Sequence, residues 1–263
     1  MSGVRLGGVG VITGWGEGIA ALPADAAIAA GARMVVPAPT PALTGERFRR
    51  ATRECLLGVK AVALLLDDAG FTREQIAGTE TAVLYVTAAG YGASNHAFIV
   101  AAESGGAGPL HFPYTAPSAV PAEVTIEYGL RGPYVTLIGG AATTIEALAW
   151  AGRLIADGAC TRALVLAVET FTECASLFAR DRRLLGRPLT EAAACALLVA
   201  GEPPLAVQTV DETSTRAADV RRRAGQTLAC APLLALALAR AVGEDPWSVT
   251  GRWRGRTLAL RED

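Results

Sequence analysis

Gly129-Leu130-Arg131-Gly132-Pro133-Tyr134-Val135-Thr136-Leu137-Ile138-Gly139-Gly140-Ala141 is the stretch on which the fold turns. Gly129 ends a short helix, Tyr134 to Ile138 has the apolar and β-branched character of a buried strand, and Gly139-Gly140 supply a sharp turn. A helix follows from Ala141 to Asp157, with Ile145, Leu148, Gly152 and Ile155 along one stripe and Gly158 as its stop.

The same grammar extends in both directions. The opening segment Gly7 to Thr13 reads as a buried strand. Helical spacing sets in at Glu46, with Phe48, Cys55, Val59, Val62, Ala63 and Leu66 on one face and a stop near Asp68 and Gly70. Thr81 to Thr87 is a β-branched strand, followed by a glycine turn at Gly90 and Gly92. A polar, proline-rich stretch through Pro113, Pro117 and Pro121 then leads into the helix that ends at Gly129. Beyond the central helix, Ala163 to Val168 and Ala193 to Val199 are further strands. The tail holds a strand at Leu205 to Val210, an apolar helix from Leu228 and a last strand at Arg256 to Leu260. Strands and helices alternate, and the strands are too apolar to have a wet face, so an α/β sheet covered on both sides is expected.

Composition narrows the function classes. Hydrophobic residues make up 51% of the 263 residues and the mean hydropathy is +0.34, which predicts helices buried on all sides together with an apolar surface kept for another subunit. The longest apolar run, Leu228 to Ala239, is interrupted by Pro232 and closed by Arg240, well short of the roughly 20 residues needed to cross a bilayer. No basic head, hydrophobic stretch and small-residue cleavage pattern opens the chain, so a cytoplasmic location is expected. The net charge of −1 offers no general attraction to nucleic acid. Cys55, Cys160, Cys174, Cys195 and Cys230 lack C-x-x-C spacing, and His96 and His111 have no carboxylate or cysteine at ligand spacing, so no metal site and no cofactor are expected. Both histidines read as surface or loop residues, with interface packing an alternative for His111. Gly8, Gly10 and Gly14 imitate a dinucleotide fingerprint, but no helical pattern follows them.

The central stretch resembles the strand that leads to the nucleophile in beta-ketoacyl synthases, G-L-x-G-P-x-x-T-V-x-T-A-C-A-S. Its surroundings agree: Arg153-Leu154-Ile155-Ala156-Asp157-Gly158 matches the next helix end, Ala163 to Glu169 the next strand, and Asp67-Asp68-Ala69-Gly70 the end of the family's first long helix. Trp253-Arg254-Gly255-Arg256-Thr257 is similar to a worn form of the closing F-G-G-x-N segment. The resemblance implies a thiolase-like layered α/β/α/β/α fold in one ketosynthase-like domain spanning 1–263, with a complete first half (1–202) and a shortened second half (203–263).

It also implies that the chemistry has gone. In the family a cysteine at the helix N-terminus attacks an acyl thioester as the thiolate; the matching position here is Ala141. Two histidines stabilise the enolate formed by decarboxylation. One belongs to an H-G-T-G-T segment that this chain lacks. The other belongs to K-x-x-x-G-H-T-x-G-A-A-G, whose counterpart is Arg221-Arg222-Arg223-Ala224-Gly225-Gln226-Thr227-Leu228-Ala229-Cys230-Ala231, with Gln226 for the histidine and Arg221 for the lysine. Where the family has a glycine-phenylalanine gate before G-E-G-A, this chain has Gly186-Arg187-Pro188-Leu189-Thr190-Glu191-Ala192-Ala193, with Glu191 retained as a structural residue.

Other polar residues have plainer readings. The run Arg221 to Arg223 and the group Arg180, Arg182 and Arg183 suit an acidic carrier protein or a phosphate, with a solvated loop as the alternative. Glu146 stands on a different face from the elbow, and helix-start capping accounts for Thr143 and Thr144. The resemblance therefore implies a catalytically inactive, chain-length-factor-like subunit with no catalytic residues of its own. It would pair with an active beta-ketoacyl synthase in fatty acid, polyketide or polyene biosynthesis and shape the acyl-chain cavity with the region Pro113 to Ile126. Gly132, Pro133, Tyr134, Val135, Thr136, Leu137 and Ile138 would form the interface, to a ketosynthase or to a second copy, and an acyl carrier protein is a further expected partner. A thioester hydrolase or decarboxylase using Gln226 and a water, and a self-associating acyl-carrier scaffold, are the alternatives.

Overall fold

The computed structural model describes residues 3–106, 112–171, 186–201, 205–243 and 248–262. Its centre is a six-stranded mixed sheet in the order β2-β1-β8-β6-β4-β5. The strands are β1 (Gly3–Thr13), β2 (Gly16–Glu17), β4 (Thr81–Thr87), β5 (Tyr134–Ile138), β6 (Arg162–Glu169) and β8 (Ala192–Gly201). β4 pairs in parallel with β5 and β6, whereas β8 runs antiparallel to both β6 and β1. The short strands β3 (Val35–Val36) and β7 (Leu189–Thr190) pair separately.

Side chains on the inner strands alternate between two cores with the period of two that a pleated strand imposes. Ala163, Val165 and Ala167 enter one core; Leu164, Leu166 and Val168 enter the other. The second face is covered by α2 (Arg53–Ala69) and α5 (Ala119–Tyr128). The first is covered by α6 (Ala141–Ala156) and α8 (Ala231–Ala241), and beyond them lies a three-stranded antiparallel sheet of β9 (Leu205–Thr209), β10 (Ser248–Trp253) and β11 (Arg256–Glu262). The central helix α6 is thus held between two sheets. The small residues Ala163, Ala167, Ala194 and Ala196 on the sheet face beneath it favour close approach. The remaining helices are α1 (Ala26–Ala30), α3 (Arg73–Ile76), α4 (Gly92–Glu103) and α7 (Thr215–Ala224).

Several expectations need correction. Glu46 to Arg49 forms a separate 3-10 turn, and α2 begins only at Arg53. The segment after Gly92 is helical as α4, where a polar loop was expected; its apolar residues follow no single stripe and only Ala93 is buried. β10 was missed, because Gly251, Arg252 and Trp253 resemble a turn more than a strand. β5 is not buried: it forms an outer edge of the six-stranded sheet, with Tyr134 45% and Ile138 53% exposed. The glycines of the opening strand are explained by packing. A Cβ on Gly10 would fall 2.1 Å from the Ala61 carbonyl oxygen and 2.3 Å from the Leu65 nitrogen, so the strand–α2 contact requires glycine there.

Glu191 fastens the sheet to the segments around it. Its carboxylate is fully buried and forms a bidentate ion pair with Arg53, at 2.8 Å for Nη2 to Oε1, and accepts the amides of Ala38 (2.9 Å) and Phe171 (2.6 Å). No helix among the described residues is long and apolar enough to cross a membrane.

Candidate functional site

The elbow from β5 into α6 places Ala141 at the first position of a 16-residue helix, with Gly140 as N-cap. No side chain caps this helix and no acidic residue lies in its first turn, so the positive end of its dipole is uncompensated there. Strand β10 packs directly on the elbow. A Cβ on Gly251 would lie 2.4 Å from the Ala141 carbonyl oxygen, and one on Gly140 would lie 2.3 Å from the Trp253 ring.

Over Ala141 lies a cavity of about 210 Å³, into whose lining the fold brings Arg221 and Gln226 from the end of α7 and beyond, together with Thr250, Gly251, Arg252 and Trp253 from β10. The three positions singled out in the sequence, Ala141, Gln226 and Arg221, are therefore walls of one space although up to 85 residues separate them. Gln226 is held by its backbone: its amide donates to the Pro188 carbonyl (2.9 Å), and its carbonyl accepts from Thr190 (2.9 Å). Arg221 to Arg223 form the last turn of α7 and not a loop. Arg222 pairs with Asp219, and Arg223 reaches the carbonyls of Ile19, Leu22 and Pro23.

Leu228, also in the cavity wall, has a φ of 45°, in the left-handed region that bulky residues avoid. The next residue holds it there. The Ala229 carbonyl accepts from the Thr144 hydroxyl (2.7 Å), and the Ala229 amide donates to Glu169 (3.2 Å). Thr144 is accordingly a tie between α6 and this loop; the capping role expected for it and for Thr143 is absent, since no side chain caps α6. Glu146 faces elsewhere and pairs with Arg256 at 3.1 Å.

Glu169, at the end of β6, is the buried charge that sequence reasoning passed over. It is fully buried and also accepts the amides of Ala88 (2.7 Å) and Ala89 (2.9 Å) and the Thr87 hydroxyl (3.3 Å). Desolvation outweighs these bonds and raises its pKa to about 7. The available signal was a carboxylate closing an otherwise apolar strand. Because the unfolded chain would release this proton near pH 4.5, its contribution to stability is fully present below that pH and is lost as pH rises toward 7. Denaturant titration should therefore show wild-type stability falling by up to about 3 kcal/mol over that interval relative to Glu169→Gln. A parallel pH dependence of the two proteins would contradict this.

Among the described residues, no cysteine lines the cavity. Cys55, Cys160, Cys195 and Cys230 are buried, and burial pushes their thiols upward, that of Cys55 to about 12. Cys174, His111, Arg180, Arg182 and Arg183 lie outside the described residues. His96 is exposed on α4. Among the described residues, no three His, Cys, Asp or Glu side chains are grouped to hold a metal.

At the sheet edge, the Pro133 carbonyl accepts from Val83 (2.8 Å) and the Gly139 amide donates to Thr87 (2.9 Å). The parallel ladder therefore turns the backbone groups of Val135 and Leu137 toward β4 and those of Tyr134, Thr136 and Ile138 outward. Apolar side chains are also exposed at Ile99, Val100, Phe112 and Ile126.

A sequence model of the beta-ketoacyl synthase N-terminal domain matches residues 32–195. The ishigamide ketosynthase/chain length factor structure is similar over 98% of both chains, with a TM-score of 0.72 and 18% identity. A ketosynthase in complex with its chain length factor from Xenorhabdus doucetiae matches over 99% of both chains, with a TM-score of 0.67 and 13% identity. A type II polyketide synthase acyl-carrier protein in complex with its ketosynthase gives a TM-score of 0.74 at 12% identity, over 99% of both chains. At these identities the likeness concerns the fold. No curated protein matches the chain. Arg221, Gln226, Arg252 and Trp253 lie beyond the span that the sequence model matches.

Proposed function

Because this chain belongs to the beta-ketoacyl synthase family, we propose that it is a non-condensing subunit that pairs with an active ketosynthase, in the manner of a chain length factor. The observation that carries this reading is Ala141 at the helix N-terminus, inside a cavity walled by Gln226 and Arg221 and, among the described residues, lined by neither cysteine nor histidine. No described lining side chain can hold an acyl group as a thioester, and the neutral amide of Gln226 does not titrate. The names of the similar structures, a ketosynthase with its chain length factor and a ketosynthase with an acyl-carrier protein, are in keeping with partners of those two kinds. Residues 1–202 would represent a complete thiolase-type half and 203–263 a reduced second half.

Pairing would run through β5. Its outward groups at Tyr134, Thr136 and Ile138 offer a strand edge, and the exposed side chains of Tyr134 and Ile138 at its two ends add apolar surface to it. The cavity over Ala141 is small for a growing chain: 210 Å³ is below the 300–1,000 Å³ of ordinary ligand pockets. Control of chain length would therefore be exerted from the surface around Pro113 to Ile126, against the partner.

Thr136→Pro tests the interface selectively. It removes one outward amide while leaving the ladder to β4 intact, since proline is tolerated on an edge with its missing N–H toward solvent. The isolated wild-type chain should self-associate in light scattering, and the variant should weaken both this association and ketosynthase binding by 100-fold or more while remaining folded. A monomeric wild-type chain that binds no ketosynthase would overturn the proposal, as would turnover of acyl thioesters by the isolated chain.

A further inference from the structure

Among the described residues, the cavity over Ala141 is lined by two arginines, Arg221 and Arg252, and by no carboxylate. Both side chains are exposed, and neither has an ion-pair or hydrogen-bond partner among the described residues. Their neighbours are committed: Arg222 pairs with Asp219, Arg223 with backbone carbonyls and Arg256 with Glu146. The lining also includes the apolar residues Ala141, Ala217, Leu228, Ala231 and Trp253, beside Thr213, Gln226 and Thr250. The uncapped start of α6 adds to the positive potential.

This combination selects a ligand class. The reacting end of an acyl thioester is uncharged and gains nothing from the charge of two guanidinium groups, whereas a free carboxylate accepts charge-assisted hydrogen bonds from their planar donors. An apolar tail would be received by Leu228 and the Trp253 ring. The volume, about 210 Å³, equals that of roughly seven liquid waters and limits the ligand to a few carbons. We propose that the cavity is a reversible binding site for a small free carboxylate with a short apolar tail, its head on Arg221 and Arg252. This goes beyond the partner role and stands whether or not the chain pairs with a ketosynthase.

Isothermal titration calorimetry of the full chain at low salt tests it, with butanoate as probe, butanamide as its neutral counterpart and inorganic phosphate as an anion without a tail. Butanoate should bind with a stoichiometry of one, and butanamide and phosphate each at least tenfold more weakly. Arg221→Gln and Arg252→Gln should each weaken butanoate by roughly tenfold. Neither residue holds a structural contact, so both variants should keep the wild-type circular dichroism spectrum and melting temperature. Absence of saturable butanoate binding, or unchanged binding in the double variant, would overturn the site. Butanamide binding as tightly as butanoate would remove the role of the arginines, and phosphate binding as tightly would remove that of the apolar wall; either result defeats the proposal.

Discussion

Glu191→Ala is expected to cost about 3–5 kcal/mol of folding stability, a large fraction of the total for a domain of this size. The substitution leaves Arg53, whose side chain is 16% exposed, without its bidentate partner, and leaves the amides of Ala38 and Phe171 without their carboxylate acceptor. Breaking one side of a buried pair is costly because the remaining charge stays desolvated. The same logic predicts partial rescue: Arg53→Met combined with Glu191→Leu removes both charges and should recover part of the loss, leaving chiefly the unsatisfied amides. Urea denaturation of the three proteins measures this. A loss below about 1 kcal/mol for Glu191→Ala would mean that the pair does not fasten the sheet to the 36–38 segment and α2.

Ala141→Cys is expected to create a reactive thiol without creating a ketosynthase. At the first position of α6 the new side chain would meet an uncapped helix N-terminus, which lowers a thiol pKa and favours alkylation by iodoacetamide. The four described native cysteines are buried with raised pKa values, so label should be concentrated at position 141, as peptide mapping would show. Condensation requires enolate stabilisation as well, and each missing donor to a developing oxyanion typically costs on the order of 10²–10³ in rate. Gln226 stands in the cavity where the resemblance puts one histidine, and no described histidine lines the cavity. Carbon–carbon bond formation should therefore stay at background in Ala141→Cys and in Ala141→Cys/Gln226→His. Condensation by the single variant at a rate approaching that of a working ketosynthase would defeat the pseudoenzyme reading.

Much of the sheet was legible in the sequence because its inner strands have apolar and β-branched centres: Thr81 to Thr87, Ala163 to Val168 and Ala193 to Val199 read as strands from their residues alone, and the last two lengthen to Arg162–Glu169 and Ala192–Gly201 in the fold. Gly70, Gly129 and Gly158 marked helix ends for a local reason, since each has a positive φ near 70°. What failed depended on tertiary contacts. The Gly251-Arg252-Trp253 segment becomes a strand because Gly251 lets it lie on the start of α6, a contact with residues more than a hundred positions away. The exposure of β5 was invisible for the same reason, because an apolar strand at a sheet edge has the composition of one inside it. At the site, Ala141, Gln226 and Arg221 came from the family pattern, as did Trp253 through the closing segment, while Arg252, the place of Trp253 in the cavity wall and the ties through Thr144 and Glu169 emerged only when the chain was folded around them.

The most direct test of the central claim is intact-protein mass spectrometry on this chain mixed with an active ketosynthase, the partner proposed for it, after incubation with acyl- and malonyl-loaded acyl carrier protein. Ala141 offers no atom to acylate and the described thiols are buried. The account predicts acyl adducts on the ketosynthase alone, with this chain at its unmodified mass throughout turnover. An acyl adduct on this chain that forms and decays at the rate of product formation would contradict it.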